Sequence, residues 1–155
     1  GIISIAVFPD KQTMVLSGPG VFNARLTLAK KDTRPDGSDE WNITNSQVFT
    51  KVNDFADTNK THGIIDPYIS PDGRHLFFVI SGNIFAAHWN KEEGLFDNIV
   101  KLDGLDTELK KRYGQSNPWT EGPTSTVIDG EHLLIFHQAS FWGGRIWGCK
   151  IEDFN

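Results

Sequence analysis

Residues 65–90 alternate short apolar runs with tight polar breaks. Aromatic and β-branched residues fill 74–80 and 84–89, and the breaks are Ser70-Pro71-Asp72-Gly73 and Ser81-Gly82-Asn83. Proline presets φ, aspartate bonds its own backbone and glycine accepts φ > 0, so such breaks between apolar runs predict turns and the runs predict strands. The same pattern recurs at 5–31 and 121–152. The turn aspartates are Asp10, Asp72 and Asp129, at spacings of 62 and 57 residues. Three copies at such a period predict a repeat architecture of antiparallel sheets.

In chain order, 2–8 reads as a buried strand, 13–16 and 21–31 as the next two, and 41–52 as a fourth, outer strand. The polar stretch 53–62 reads as a linker. In the second copy 99–102 supplies a short outer strand. Residues 106–113 form the one convincing helical segment, a charged surface insertion. The third copy starts near Trp119 and, by the repeat register, has three strands and lacks its outer fourth. The expected fold is all-β and β-propeller-like: about three antiparallel four-stranded blades in a single unit spanning 1–155, at approximately 2–55, 63–104 and 119–155. Open sheet edges are a hazard, and three blades do not close a ring. The chain is therefore expected to be a half ring or fragment, completed by further sequence, by another chain or by a homodimer of six blades.

Composition narrows the partners. A net charge of −5 with no basic run argues against nucleic acid. No apolar run is long enough to span a bilayer, so no membrane role is expected. Gly1 falls inside a predicted strand, as in a mature or trimmed product. The single cysteine, Cys149, cannot form an intrachain disulfide and sits in an alternating strand pattern. Sequons at Asn42 and Asn59 lie in predicted surface segments and permit glycosylation of a secreted protein. A secreted or periplasmic location is the expectation.

Two resemblances rest on these motifs. Asp66-Pro67 followed by Ser70-Pro71-Asp72-Gly73, and Glu121-Gly122-Pro123 followed by Val127-Ile128-Asp129-Gly130 with Val127-Ile128 in place of Ser-Pro, resemble the WD-like propeller repeats of the periplasmic Tol-system protein and its relatives. Gly143-Gly144-Arg145-Ile146-Trp147 is similar to their Gly-Gly-Asp-Ile-Trp ending, with arginine for aspartate. This resemblance implies a fold and little about function. Ile65-Asp66-Pro67 and Glu121-Gly122-Pro123 resemble blade-opening motifs of five-bladed furanosidases and xylosidases, glycoside hydrolase family 43. That resemblance implies Glu121 as general acid and Asp66 as its modulator. The family's base aspartate lies in an earlier blade, and no aspartate of the first copy sits in a matching motif.

Asp66 and Glu121 are read as occupying one place in successive repeats, near the start of innermost strands. They are either a carboxylate pair for acid–base work or ligand binding, or caps for the strand openings. Indole faces stack on sugar rings and prolines, which makes Trp119 and Trp142 candidate ligand contacts; Trp147, Trp41 and Trp89 read as packing residues. His75 and His132 read as equivalent repeat positions, which favours a structural role. No histidine pair has zinc-site spacing, no phosphate loop is present and no cofactor is expected. The function expected is a non-catalytic propeller module that binds a carbohydrate or protein ligand on its channel face through Asp66, Trp119, Glu121 and Trp142. The alternative is a glycoside hydrolase fragment using Asp66 and Glu121.

Overall fold

The computed structural model describes residues 1–59, 61–113, 119–139 and 144–151. Three antiparallel sheets follow one another along the chain. The first has the order β1 (Ser4–Val7), β2 (Thr13–Gly18), β3 (Arg25–Thr33), β4 (Asp39–Thr44). The second has the order β5 (Ile65–Ile69), β6 (His75–Ile80), β7 (Asn83–Asn90), β8 (Leu95–Lys101). The third contains β9 (Trp119–Ile128), β10 (Glu131–Ala139) and β11 (Arg145–Lys150), with β10 in the middle. The innermost strands lie side by side, β1 against β5 and β5 against β9. The architecture is propeller-like: two four-stranded blades and one three-stranded blade among the described residues.

Strand alternation explains how the blades stack. Side chains of a strand alternate between faces, so β6 (HLFFVI) must bury both of its faces to hide a continuous apolar run. Leu76, Phe78 and Ile80 join Val15, Leu26 and Leu28 in a core between the first and second blades. Phe77 and Val79 join Leu134 and Phe136 in a second core between the second and third blades. Each fully buried Phe side chain contributes about 2–3 kcal/mol.

Several boundaries differ from the sequence reading. β1 is not a buried strand: Ala6 packs inward, but Ile5 and Val7 are exposed on the opposite face. The outer strand expected at 41–52 ends at Thr44, and the expected linker holds helix α1 (Thr50–Thr58). Phe49, Val52, Phe55 and Ala56 recur at helical spacing and pack into the first core. That signal was present, but the many polar residues between them hid it. Asn53 clamps α1 to β3, donating to the Leu26 carbonyl at 3.0 Å and accepting from the Leu26 N–H at 2.9 Å. The second helix, α2 (Asp103–Tyr113), starts three residues before the expected segment.

The third hairpin also departs from the repeat as read from its turns. In the second blade a bulge separates the pairs Ile65↔Val79 and Tyr68↔Phe77, with Asp66 at φ 47°. In the third it separates Glu121↔His137 from Thr124↔Ile135, with Gly122 at φ 58°. The bulges therefore align Asp66 with Gly122 and Pro67 with Pro123, while Glu121 is level with Ile65. Asp66 and Glu121 are neighbours across blades and not repeat equivalents. Beyond the bulge the third hairpin is one residue longer on each strand and closes through a two-residue Asp129-Gly130 turn. His75 is thus level with Leu133, and His132 is not its equivalent.

Candidate functional site

The bulge at Asp66 places a carboxylate where three blades meet. The Asp66 N–H donates to Ser4 Oγ of β1 at 3.0 Å, and its Oδ2 accepts from the Gly122 N–H of β9 at 3.2 Å. Asp66 thereby ties together all three innermost strands. Burial pushes its carboxyl above the ordinary carboxylate range; the Gly122 N–H offsets this in part, and the nearby Glu121 charge adds to the rise. A non-glycine residue in the left-handed region is strained unless, like Asp or Asn, it can bond locally. Asp66 is such a residue, and its half-buried carboxylate has the Gly122 N–H as partner and no described cation.

Glu121 is half-buried on β9, and its carboxylate accepts a hydrogen bond from the Trp119 indole N–H. Trp119 lies over the Gly82 turn of the second blade so closely that a Cβ at Gly82 would come within 2.3 Å of its ring. The contact is fixed from behind, because Thr120 donates to the Gly82 carbonyl through both its N–H, at 2.7 Å, and its hydroxyl, at 3.0 Å. Trp119 remains 44% exposed. The result is a rigid, open indole platform beside two carboxylates. Neither Asp66 nor Glu121 forms an ion pair with a described cation.

Of the residues singled out from sequence, Asp66, Trp119 and Glu121 are brought together; Trp142 lies outside the described residues. Ser4, Gly82 and Gly122 complete the cluster; the sequence marks Gly82 as a turn residue and Gly122 as part of the Glu121-Gly122-Pro123 motif, and gives no signal at Ser4. Trp147 packs against the second core and donates to Gln138 Oε1 at 3.2 Å, and Trp89 packs edge-on against Phe96 at 5.1 Å. Cys149 is a half-buried residue of β11. Asn42 and Asn59 are both exposed.

Two grooves among the described residues lie elsewhere. One of about 610 Å³ runs between the outer part of the second blade and β11, lined by His88, Val100, Leu102, Leu105 and Cys149. A smaller one, about 350 Å³, opens between the Asp72 turn and His132 and contains His75. His75 and His88 face each other across β6 and β7, ring centroids 4.8 Å apart, and the buried Nδ1 of each has no hydrogen-bond partner among the described residues. No group of three or more described His, Cys, Asp or Glu side chains converges as a metal site.

Burial lowers the His75 pKa first, and His88 adds to the effect; Asp72, whose Oδ1 is 3.9 Å from Nδ1, opposes it, and Arg74 lowers it further. A histidine that is harder to protonate folded than unfolded stabilises the fold fully above the unfolded value of 6.5. That stability is lost as pH falls from there through the folded pKa. The urea midpoint should therefore fall as pH is lowered below 6.5. His75→Phe should flatten that slope. An unchanged slope in the variant would remove His75 as its cause.

No family model and no curated protein matches this sequence. Among solved structures the chain is similar to the Dos1 propeller, at 9% identity and a TM-score of 0.42, over 98% of this chain and 48% of that one. The chain thus spans about half the length of that structure.

Proposed function

We propose that the chain is a non-catalytic propeller module that binds a carbohydrate or protein ligand on the channel face of its blades, through Trp119, Asp66 and Glu121, with Trp142 as a further contact. The observation that carries this reading is the half-exposed Trp119 ring, fixed on Gly82 beside two carboxylates that no described cation neutralises. An indole face stacks on a sugar ring or a proline, and carboxylates accept from hydroxyl or amide donors. The exposed Trp119 face suits an extended ligand better than an enclosed small molecule. A secreted or periplasmic setting, with Asn42 and Asn59 as glycan acceptors, belongs to the same proposal.

The hydrolase alternative assigns the acid role to Glu121 and a tuning role to Asp66. Here burial raises the Asp66 carboxyl, and its Oδ2 and its N–H serve the join between strands. A glycan array followed by titration calorimetry tests the binding reading. Trp119→Ala and Glu121→Gln should each weaken a detected ligand at least tenfold, about 1.4 kcal/mol. Unchanged affinity in both variants would move the site elsewhere. Cleavage of a furanoside or xyloside that Glu121→Gln abolishes, with binding retained, would establish the hydrolase instead.

Asp66→Asn separates function from stability. An Asp whose folded pKa is raised costs stability as pH rises from the unfolded value of 3.8 to the folded one, so at pH 7 the cost is complete and the ionised group is a burden. Asparagine keeps the acceptor for Gly122 and tolerates φ 47°. The variant should unfold at a higher urea concentration at pH 7, while ligand binding falls. A loss of stability would show that the charge holds the three strands together.

A further inference from the structure

The two outer faces of the three-blade stack are halves of an interface the chain already uses. Between the second and third blades, Phe77, Ile84 and Ala86 of one sheet meet Leu134 and Phe136 of the next. By register, the far face of the third blade presents Ile135, Ile146 and Gly148 at the positions of Phe77, Ile84 and Ala86. Nothing among the described residues covers it, and Ile146 is 80% exposed. At the other end, Met14 and Leu16 of the first blade stand level with Leu76 and Phe78, the side chains the second blade turns toward its predecessor; they are already buried with Ala29, and the residues that face leaves open are their cross-strand neighbours. Ile5, Val7 and Ile43 extend that face and are 57%, 48% and 65% exposed.

We propose that the chain binds a second copy of itself head to tail, the first blade of each copy covering the third blade of the other, in a closed pair of six blades. One end offers the face a blade shows its successor and the other the face a blade shows its predecessor, so each copy carries what the other lacks. Contacts between unlike faces either close into a ring or run on as a filament. Six blades fall within the range in which propellers close, and closure removes both exposed faces at once. The pairing does not depend on the ligand reading above.

Multi-angle light scattering of the whole chain at about 50 µM, a concentration at which a micromolar dimer is mostly assembled, should give twice the 17.4 kDa chain mass. Ile5→Lys and Ile146→Lys alter opposite faces at exposed positions, so each variant should keep the wild-type far-UV spectrum and run at the single-chain mass. Mixed, they should return to twice that mass, because a head-to-tail pair retains one contact between two unaltered faces. A monomeric wild type, a dimer that survives either substitution, an open polymer, or a mixture that stays monomeric would each overturn the proposal. A contact between like faces fails the mixing step, since one variant would remain dimeric alone.

Discussion

Phe78→Ala should cost about 3–5 kcal/mol, the largest loss expected of any single truncation in this chain. Phe78 is fully buried in β6, stacked on Phe85 at 5.7 Å, within the core that joins the first blade, α1 and the second blade. The residues around it come from three separate packing elements, each fixed by its own backbone hydrogen bonds, so none can move in to fill the gap. The removed ring therefore leaves a cavity as well as lost burial. For a chain of this size the fall in Tm should be about 10 °C, read by thermal melting at 222 nm alongside urea unfolding. A loss below about 1 kcal/mol would mean that the first two blades are not packed face to face.

Gly63→Ala should cost about 3 kcal/mol for the opposite reason, an added atom with nowhere to go. A Cβ at Gly63 would lie 2.3 Å from the Val21 carbonyl oxygen and 2.5 Å from the Ala24 nitrogen, both backbone atoms. A flexible side chain could rotate away; these cannot. The approach is set by the strands on either side, since the Ile64 N–H donates to the Ala24 carbonyl at 3.0 Å and the Ser17 hydroxyl donates to the Ile64 carbonyl. Forcing the segments apart would break the seam by which the second blade enters against the first. Gly104→Ala is the control, because nothing lies within 4 Å of its Cβ position in α2. It should be neutral or gain about 0.5–1 kcal/mol. Equal effects at the two glycines would mean that close approach at Gly63 does not decide the outcome.

The blades were legible because their signals are local. Pro-Asp-Gly turns and apolar runs at period two need only neighbouring residues, and they indicate the strands of all three sheets, three of them in the third among the described residues. Helix α1 was missed because four apolar residues at helical spacing are a weak signal among Thr, Lys, Asn and Asp. The candidate site was legible only as residue types. That Asp66 reaches Gly122, and that Trp119 folds over Gly82, follows from how blades stack, and no spacing along the chain encodes it. Asp66 is not equivalent to Glu121, nor His75 to His132, because neither the acidic residues nor the turns keep the repeat register. The bulges keep it, and the third turn stands one residue further from its bulge on each strand.

That difference between the hairpins shows where this fold can tolerate insertion and deletion. Lengthening both strands of a hairpin by one residue beyond the bulge leaves every side chain between bulge and tip on its original face, because position relative to the bulge is unchanged. The blade grows outward at its tip, and the core facing its neighbour is untouched. A single residue gained or lost on the bulge side would instead exchange the faces of β10, turning Leu134 and Phe136 out and Leu133 and Ile135 in. The tips of the blades can vary in pairs of residues; the rim that carries Asp66, Trp119 and Glu121 cannot vary even by one.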